Sequence, residues 1–574
     1  MKFSHTISLF SLIFINIFII KVDALWPIPK KWSKGISTLK IHPSIKINFN
    51  NRFSDPFIQQ TIHAATQRLQ DFLTNEKFSP PNKNNLPPID LTFKILESLN
   101  IELHTENVEL SLDTDESYDI WIPNASPLLM TLKAHLRAKS VYGVLHGLTT
   151  FSQLIYADSG NDEMLIMPFA PHRIFDSPKY RHRGLMLDTS RNYYPVEDIL
   201  RTLDAMSWTK LNVFHWHIVD QHSWPVASEV FPELSEKGSY DPKNMIYTKR
   251  DIETIVHYAK QRGIRIIPEF DMPGHTAAIA LSHPEIPIGT MQYAYEPPSG
   301  QFDPTANATY AFIDKLITEM ASWFPDKYFH GGGDEVNLRC WYDAHKVQEY
   351  ISLTPNTTNK TNIDDDDSEI ISETMEPLVH KFVTKQHEII RNQGKIPMAW
   401  QELIVNQRLN LGKDTIVQVW NGDDNVKRVV RAGYKVVSGP AGFWYLDCGH
   451  GNWLGNYVEG NSWCGHFKTW QWMYSYNPRN GLSDKEAELV IGGEVLLWSE
   501  QADATNFETT LWPRTAVTAE ILWSGNYDST GMTRNVREAL PRLTEFRFRL
   551  VGRGIRAEPL QPLWCARTGT CDRP

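Results

Sequence analysis

From about residue 180 to residue 498 the sequence repeats one unit: a short apolar run typical of a strand, a loop with polar or aromatic residues, and an amphipathic helix. The predicted strands are 183–188, 213–220, 265–271, 327–334, 396–400, 415–420, 435–439 and 490–498. The predicted helices between them include 196–208, 250–262, 310–323, 378–392 and 426–431. Strands that alternate with helices in this way predict an α/β fold, a (β/α)8 TIM barrel.

Acidic or indole side chains stand at, or just past, the C-terminal end of nearly every predicted strand. They are Asp188, Asp220, Asp271, Asp334, Trp400, Trp420 and Trp498. The carboxyl ends of the strands form the active face of such a barrel. A doubly wound open sheet is the rival topology, and it does not explain why acids or indoles end nearly every strand.

The segments on either side of the repeat have different patterns. Residues 25–177 predict a small α+β domain, with helical periodicity at 55–73 and 141–155 and strand-like patterns at 90–96, 117–122 and 130–138. No catalytic constellation occurs there. Two further helical stretches, 510–522 and 533–550, complete the barrel, so we assign residues 178–574 to a catalytic barrel with C-terminal helices and a tail.

Residues 1–24 predict a secretory signal peptide. Lys2 precedes an apolar run from Ile7 to Ile20, and small residues before Leu25 allow cleavage. The run is short for a membrane anchor, so we expect none. Sequons for N-glycosylation fit a secretory product, at Asn124, Asn307, Asn356 and Asn359. We expect an extracellular protein, with the vacuole or lysosome as the alternative.

Five cysteines in an oxidising compartment leave one over. Cys565 and Cys571 are close enough in sequence for a local clasp on the tail, and Cys448 with Cys464 would close a loop that carries several aromatic residues. Cys340 is then the odd thiol. Because no Cys/His grouping has the spacing of metal ligands, we expect no metal and no other cofactor.

The charge pattern argues against nucleic acid or an anionic membrane as the main partner, because the net charge is −10 and no dense Lys/Arg patch occurs. Nineteen tryptophans are unusual. Indole rings stack on the apolar face of sugars, although they also pack ordinary cores. The polar stretch 354–368, with four consecutive aspartates, predicts a solvated surface loop rather than a metal site.

Residues 328–335 are the strongest candidate for a catalytic segment. A short aromatic run typical of a strand is followed by three glycines and then by the adjacent acids Asp334 and Glu335. Ionising one of two adjacent carboxylates disfavours ionising the other. This division suits glycoside hydrolysis, which needs a proton donor and a negative charge. Because sequence neighbours cannot easily flank one sugar, either the substrate or a distant acid supplies the nucleophile. The candidate acids are Asp188, Asp220, Asp271, Glu402 and Glu500.

Six motifs follow one another in a fixed order: HRGLMLDTSR at 182–191, HWHIVD at 215–220, EFDMPGH at 269–275, HGGGDEV at 330–336, WQE at 400–402 and QVW at 418–420. Together they closely resemble the β-N-acetylhexosaminidases of glycoside hydrolase family 20, over about residues 172–559. The N-terminal region resembles that family's small preceding domain more loosely, through YGVLHGLTTFSQL at 142–154.

The resemblance implies a retaining, exo-acting glycosidase that removes terminal β-linked N-acetylglucosamine or N-acetylgalactosamine from an oligosaccharide or glycoconjugate. The substrate's own acetamido oxygen would attack the anomeric carbon and form an oxazolinium intermediate. Glu335 would be the general acid and then the base for water. Asp334 would orient the acetamido group and stabilise its positive charge. Tyr445 matches the tyrosine that hydrogen-bonds the acetamido oxygen.

The rest of the sugar pocket follows from the same resemblance. Trp400, Trp420 and Trp498 match the indoles that wall the acetamido group and the sugar face. Arg191 matches the arginine that holds ring hydroxyls, and Glu500 matches the acid that receives the non-reducing 4-hydroxyl. Charged hydrogen bonds of this kind fix the end of a sugar chain.

Other positions resemble or depart from the family pattern. Asp220 and His275 resemble supports behind Glu335, and Asp447 resembles the variant that favours neutral hexosaminides. Gln221 stands where many members carry a second acid, so no role of that acid is transferred. Trp463 lies in a segment that resembles plant and fungal members, and it could stack on the leaving sugar or only pack its loop.

Two other functions stay open at this point. A sugar-binding protein could keep the barrel and lose turnover, although Asp334, Glu335, Arg191 and Tyr445 are all present. A retaining glycosidase with a protein nucleophile is the other alternative. The resemblance to eukaryotic members also implies a homodimer.

Overall fold

The structure is a computed structural model that describes residues 25–50, 52–82, 95–124, 132–157, 164–289, 300–353, 368–453, 458, 460 and 462–571. The predicted signal peptide, most of the predicted strand 90–96 and the acidic stretch at 364–367 lie outside these residues. Within them, no helix combines the length and the apolar character needed to cross a bilayer.

The strands, in chain order, are β1 Lys31–Phe49, β2 Ile95–Leu103, β3 Tyr118–Ile122, β4 Leu132–Ala138, β5 Tyr156–Ala157, β6 Leu165–Asp176, β7 His182–Asp188, β8 Val213–Val219, β9 Arg265–Phe270, β10 Pro287–Ile288, β11 Gln301–Phe302, β12 Tyr328–His330, β13 Ile396–Trp400, β14 Ile416–Val419, β15 Lys435–Ser438 and β16 Val490–Leu497. The helices are α1 Pro56–Asp71, α2 Val141–Gln153, α3 Val196–Trp208, α4 Glu233–Gly238, α5 Lys249–Lys260, α6 Asn307–Trp323, α7 Leu338–Asp343, α8 His345–Leu353, α9 Ser368–Asn392, α10 Glu402–Val405, α11 Asn425–Arg431, α12 Ala441–Trp444, α13 Trp470–Ser475, α14 Asp484–Ala487, α15 Phe507–Leu511, α16 Arg514–Ser524, α17 Val536–Gly552 and α18 Leu563–Thr568.

The first six strands form one sheet in the order β1-β2-β4-β3-β6-β5, in which β1 also pairs with β6. Alternation of buried and exposed residues along β4 turns one face of the sheet toward a hydrophobic cluster shared with α1 and α2. The predicted strands 117–122 and 130–138 correspond to β3 and β4. The α+β class predicted for this region is confirmed.

The sequence prediction missed the two longest strands of this sheet, β1 and β6. Strand β1 contains Gly35 and Pro43, and its register shifts between Lys34 and Ser37 against β6 and between Ile41 and Lys46 against β2. Each shift breaks the two-residue alternation by which a strand is recognised. The first half of β1 pairs with β6 and the second half with β2, so β1 links two strands that are not neighbours in the rest of the sheet.

The remaining long strands close into a barrel in the order β7-β8-β9-β12-β13-β14-β15-β16, with β16 returning to β7. Every neighbouring pair is parallel. This confirms the predicted TIM barrel, and α3 matches the predicted helix 196–208. Buried residues fill the N-terminal end of the barrel interior: Leu112, Val213, Ile267, Tyr328, Met398, Ile416, Val437 and Ile491.

One barrel strand is shorter than predicted. Strand β12 ends at His330 rather than at residue 334, because Gly332 and Gly333 adopt φ of +69° and +103°. A β-strand needs negative φ, so the glycines turn the chain out of the sheet. Asp334 and Glu335 therefore follow the strand as a loop at the barrel mouth.

Candidate active site

A cleft of about 480 Å³ opens at the C-terminal ends of the barrel strands. Its lining includes most of the side chains singled out in the sequence: Arg191, His275, Asp334, Glu335, Trp420, Tyr445, Asp447, Trp498 and Glu500. Trp400 and Asp220 lie buried beneath this surface. The structure thus brings residues from almost the whole length of the barrel sequence to one place.

The glycine turn after β12 fixes the acid pair. A Cβ at Gly332 would lie 1.6 Å from Asp271 Oδ1, so no side chain fits between this loop and the end of β9. The Gly333 N–H donates a 2.8 Å hydrogen bond to the same Asp271 oxygen. Asp334 is then buried, while the Glu335 side chain stays 34% exposed and faces the cleft. One acid is enclosed and its neighbour is accessible.

His275 lies between the acids. Its Nδ1 is 3.2 Å from Asp220 Oδ1, and its Nε2 is 3.4 Å from Glu335 Oε2 and 3.8 Å from Asp334 Oδ2. Burial alone would lower the pKa of His275, but the charges of Asp220 and Asp334 hold it well above its ordinary value. An imidazolium here attracts both carboxylates of the pair.

Asp271 and Asp334 form a second contact within the acid cluster. Burial first, and then the charge of Asp334, raise the pKa of Asp271 well above its ordinary value. Burial also raises the pKa of Asp334, against the opposing charge of His275. Two buried carboxyl groups this close together disfavour ionisation of both, so their titration belongs to the pair.

Arg191 is held rigidly beside the cleft. Its Nη1 lies 2.9 Å from Asp220 Oδ2 and 3.3 Å from Asp188 Oδ2, and its Cζ is 5.0 Å from the centre of the Trp498 ring. Burial would lower its pKa, but Asp220 and Asp188 raise it above the ordinary value, so the guanidinium is always charged. Its buried Nε has no hydrogen-bond partner among the described residues, which leaves donor capacity for a ligand.

Aromatic rings form one side of the cleft. Trp420 stacks on Tyr445 at 6.3 Å with an interplanar angle of 16°, and Tyr445 lies 6.4 Å from Trp498. Trp400 lies 6.3 Å from Trp498 but is fully buried, and its indole N–H donates a 2.6 Å hydrogen bond to Glu269. Trp400 therefore supports the cleft floor, while the other three rings face the open space.

Asp447 and Glu500 lie at another part of the lining. Burial, and then the nearby charge of Glu500, raise the pKa of Asp447 to about 8. Burial also raises the pKa of Glu500, against the opposing charge of Arg191. A buried Asp447 oxygen has no hydrogen-bond partner in the described part of the chain. Both carboxyl groups can accept or donate hydrogen bonds to hydroxyl groups, as a sugar requires.

The five acids left open as protein nucleophiles are mostly engaged elsewhere. The two Asp220 oxygens contact Arg191, His217 and His275. Asp188 accepts from the backbone of Ser190 and Ser499, and Asp271 binds the glycine loop. Glu402 accepts the indole N–H of Trp420. Glu500 faces the cleft, where it is among the residues expected to hold hydroxyl groups.

Sequence reasoning missed the role of two glutamates below the cleft, Glu269 and Glu494. Glu269 contacts His215, His217 and His330 at 2.7 to 3.1 Å. Glu494 contacts His182 at 2.6 Å and His215 at 2.9 Å. Both glutamates are fully buried. The available signal was a charged residue inside an otherwise apolar strand, since such a residue is almost never buried without partners.

Among the described residues, three groups of side chains have donor atoms within 4.8 Å of one another and could geometrically hold a metal: His215, Glu269 and His330; Asp271, His275 and Asp334; and Asp447, Cys448 and Cys464. The first group is already joined by N···O contacts of 3.0 Å and 3.1 Å to Glu269, and the third contains both sulfurs of a disulfide. The absence of a metal cofactor stays a prediction.

Both predicted disulfides are present, Cys448–Cys464 and Cys565–Cys571, and Cys340 is free and buried. The first disulfide packs beside the aromatic wall and holds the segment that carries Trp463. Trp463 is 64% exposed and meets Trp420 edge-on at 5.7 Å. The cleft therefore extends outward past the three enclosed rings.

Two family models match the chain. One, described as the glycosyl hydrolase family 20 catalytic domain, matches residues 180–526, and one described as beta-acetyl hexosaminidase like matches residues 25–154. A Beta-hexosaminidase of Arthroderma benhamiae is 32% identical over 95% of this chain and 96% of its own length. Beta-hexosaminidase subunit beta of Mus musculus is 37% identical over 82% of this chain and 80% of its own length. The structure of a Flavobacterium johnsoniae chitobiase is similar at a TM-score of 0.72 and 29% identity, covering 93% of this chain and 73% of that chain.

Proposed function

The chain belongs to glycosyl hydrolase family 20, and from that premise we propose which of its residues carry out each step of the family's reaction. The enzyme is a β-hexosaminidase: it removes terminal non-reducing β-linked N-acetylglucosamine or N-acetylgalactosamine, with retention and through an oxazolinium intermediate. The observation that carries the proposal is the pair Asp334 and Glu335, one enclosed and one accessible, in a cleft walled by Trp420, Tyr445 and Trp498.

In the first step the terminal sugar binds with its hydroxyl groups at Arg191, Asp447 and Glu500. Arg191 cannot move to meet the sugar because Asp188 and Asp220 hold its Nη1, so its position is fixed before binding. A buried Asp447 oxygen and the Arg191 Nε lack hydrogen-bond partners in the described residues. Sugar hydroxyls would satisfy both, which favours a chain end over a flat polymer surface.

In the second step the acetamido oxygen attacks the anomeric carbon while Glu335 protonates the leaving oxygen. Tyr445 donates to the acetamido oxygen. Burial holds the pKa of Tyr445 well above its ordinary value, so the hydroxyl keeps its proton. Asp334 accepts the acetamido N–H and faces the positive charge that develops on the new ring. Its neighbour Asp271 accepts the Gly333 N–H and so holds the loop that carries Asp334.

In the third step Glu335 takes a proton from water, which opens the oxazolinium and returns the sugar with its original configuration. Glu335 must therefore hold a proton at one stage and release it at the next. His275, whose Nε2 lies 3.4 Å from Glu335 Oε2, is placed to orient this carboxyl group for both proton transfers. The indoles exclude bulk water from the intermediate until the leaving sugar has departed.

The arrangement supports the substrate as nucleophile rather than a protein carboxylate. Asp188 and Asp220 have both oxygens bound by cations or by backbone N–H groups. Asp271 Oδ2 has no hydrogen-bond partner among the described residues, but burial raises the pKa of this carboxyl group, which disfavours the anion that a nucleophile needs. Asp334 directly precedes Glu335 in the chain and lines the same cleft as Tyr445. This geometry suits an acetamido group between Asp334 and Tyr445.

The test is the hydrolysis of aryl N-acetylglucosaminide and N-acetylgalactosaminide by wild type, Glu335→Gln and Asp334→Asn. Removing a general acid lowers the rate by about 10²- to 10⁴-fold, and we expect losses of that size in both variants. Azide should partly restore Glu335→Gln on a substrate with a good leaving group. A thiazoline that mimics the oxazolinium should inhibit wild type competitively. Equal activity on plain aryl glucosides, or a trapped covalent glycosyl-enzyme, would contradict the mechanism.

We also propose a domain division into a signal peptide at 1–24, an N-terminal domain at 25–177 and the catalytic barrel at 178–574.

Two disulfides and the relatives are consistent with the secretory pathway. An extracellular destination is the proposal, with the vacuole or lysosome as the alternative. A homodimer is proposed on the resemblance to eukaryotic members, and the mouse relative is named as a subunit. Light scattering of the purified protein tests it.

A further inference from the structure

Glu402 is a partly buried residue beside the cleft whose carboxyl group the mechanism does not use. It is the first residue of the short helix α10, directly after strand β13. Its Oε1 accepts a 2.7 Å hydrogen bond from the indole Nε1 of Trp420, at the end of β14. Its Oε2 is buried and has no hydrogen-bond partner on another described residue. The side chain thus has one directed contact, and that contact is with a ring of the sugar pocket.

Two consecutive residues lock Trp420 in place. Gln401 accepts the backbone N–H of Trp420 at 3.0 Å, and Glu402 accepts the indole N–H at 2.7 Å. The ring also lies against Tyr445 at 6.3 Å and edge-on to Trp463 at 5.7 Å. Gln401 holds the backbone to which the ring is attached, and Glu402 is the acceptor of the indole N–H among the residues that the structure describes.

The protonation state of Glu402 favours a stable hydrogen bond to the Trp420 indole. Burial, and then the charge of Asp334, raise the pKa of Glu402 to about 8, so the group is neutral in acidic and neutral solution. A neutral carboxyl can accept the indole N–H without placing a second negative charge beside Asp334. It also needs no buried cation as a partner.

We propose that Glu402 is a positioning residue that fixes the Trp420 indole and thereby sets the size of the N-acyl group that the pocket admits. This inference rests on the proposed function, in which Trp420 walls the acetamido group. Without the hydrogen bond, the ring can rotate away from Tyr445. The slot then widens where the methyl group of an N-acetyl substituent ends, so longer acyl chains are tolerated.

The experiment compares aryl β-glycosides of N-acetyl-, N-propionyl- and N-butyrylglucosamine. Glu402→Leu removes the acceptor, and Glu402→Gln keeps a carbonyl oxygen in its place. One neutral hydrogen bond corresponds to about a fivefold to tenfold effect. We expect Glu402→Leu to raise the propionyl-to-acetyl ratio of kcat/KM by about that factor, mainly through a lower value for the acetyl substrate. The ratio for Glu402→Gln should stay within about twofold of wild type.

A double-mutant cycle identifies the route of the effect. Trp420→Phe keeps an aromatic ring but has no N–H, so it should shift the ratio in the same direction as Glu402→Leu. In the Trp420→Phe background, Glu402→Leu should then add nothing. Circular dichroism confirms folding, and if Glu402→Leu does not fold, the comparison of Glu402→Gln with Trp420→Phe carries the test. A ratio unchanged by Trp420→Phe, or shifted equally by Glu402→Leu with and without the indole N–H, would overturn the inference.

The outcomes also separate this inference from the proposed function. If wild type hydrolyses plain glucosides as fast as N-acetyl substrates, the proposed function is wrong. The proposed pocket for the N-acyl group is then wrong too. If thiazoline inhibition holds and Glu335→Gln is inactive, but the folded Glu402→Leu enzyme keeps the wild-type acyl ratio, only the role of Glu402 is wrong.

Discussion

Two sets of carboxyl groups lie in the same barrel and have opposite surroundings. In the interior, the Glu269 oxygens meet three histidines and the indole of Trp400, and Glu494 meets two histidines and Gln418. Burial would raise their pKa values, but the nearby histidines hold both below the ordinary range. At the mouth, burial raises the pKa values of Asp271, Asp334, Glu402, Asp447 and Glu500, with too few cations nearby to offset it.

The number of partners on each carboxyl group distinguishes a structural network from a ligand-binding site when both are buried and charged. In the interior network every oxygen of Glu269 and Glu494 has a positively charged or N–H partner, so these carboxylates need no ligand and stabilise the fold. A cluster with excess negative charge and incomplete hydrogen bonding is satisfied only when a ligand arrives. His217 joins the two, because its Nδ1 is 2.7 Å from Glu269 and its Nε2 is 2.8 Å from Asp220. The interior network therefore also orients Asp220, the carboxylate that holds Arg191.

The largest expected effect is on folding, from Glu269→Gln. Removing one charge of a buried, paired network leaves its histidines without compensation, and such losses destabilise by about 3 to 5 kcal/mol. The matched variant at the mouth is Asp334→Asn, which removes excess charge instead of a partner. We expect its free energy of unfolding to stay within about 1 kcal/mol of wild type. Urea unfolding followed by circular dichroism measures both.

A similar loss of stability in Glu269→Gln and Asp334→Asn would contradict the proposed difference between the interior network and the barrel mouth. Glu494→Gln provides an independent check on the interior, since it removes the partner of His182 and His215. It should resemble Glu269→Gln in stability. If instead Asp334→Asn were the less stable protein, the acid pair would belong to the scaffold.

The next largest effect is on turnover, from Tyr445→Phe. This change removes the proposed donor to the acetamido oxygen but keeps the ring that stacks on Trp420. Loss of one donor to a developing charge lowers kcat by about 10²- to 10³-fold. The control is Tyr474→Phe, because Tyr474 is also buried and donates a 2.8 Å hydrogen bond, but to Glu520 and away from the cleft lining. It should lower stability and leave kcat close to wild type.

The barrel could be predicted from the sequence because its strands are buried on both sides. Strand β8, for example, is buried at every residue and is flanked by an amphipathic helix on either side in the sequence. Strand-end acids and indoles then indicated the active face. Strands β1 and β6 could not be predicted, because shifts of register and internal prolines remove the alternation on which such a prediction depends.

The site was predictable as a set of residues but not as a set of contacts. Spacing placed Asp271 and Glu402 among possible nucleophiles, and only the fold shows that one supports the glycine loop and the other holds Trp420. Trp400 was expected in the wall with Trp420 and Trp498, and it lies beneath the surface with its N–H on Glu269. Such partners are far apart in sequence, so local pattern carries no information about them.

The dependence of stability on pH should differ for the two sets. The pKa of Glu402 is raised from 4.5 to about 8, so the folded state binds this proton more tightly than the unfolded chain. Its contribution is fully present below about pH 4.5 and is lost as the pH rises toward 8, by at most about 1.4 kcal/mol per pH unit. Interior Glu494 has a lowered pKa, so its contribution is present above about pH 4.5 and is lost on acidification.

Unfolding of wild type and Glu402→Gln at about pH 5 and about pH 8 measures this difference. Glu402→Gln cannot titrate, so its stability should fall less than that of wild type over this range. An equal fall in both proteins would mean that Glu402 is already ionised at the lower pH. Glu402 would then no longer be an example of a carboxyl group at the barrel mouth with a raised pKa.

The smallest expected effect concerns the outer end of the mouth. Trp463 is exposed and stands beyond the enclosed rings, so its truncation should not disturb the acid cluster. If it stacks on the leaving sugar, Trp463→Ala lowers kcat/KM for an oligosaccharide by about threefold to tenfold, but changes little for a methyl glycoside. Trp472→Ala is the matched control, since Trp472 is 52% exposed and stacks on Phe443 outside the cleft lining. Equal losses on both substrates would assign Trp463 to the packing of its loop, and the sugar-binding mouth would then end at Trp420.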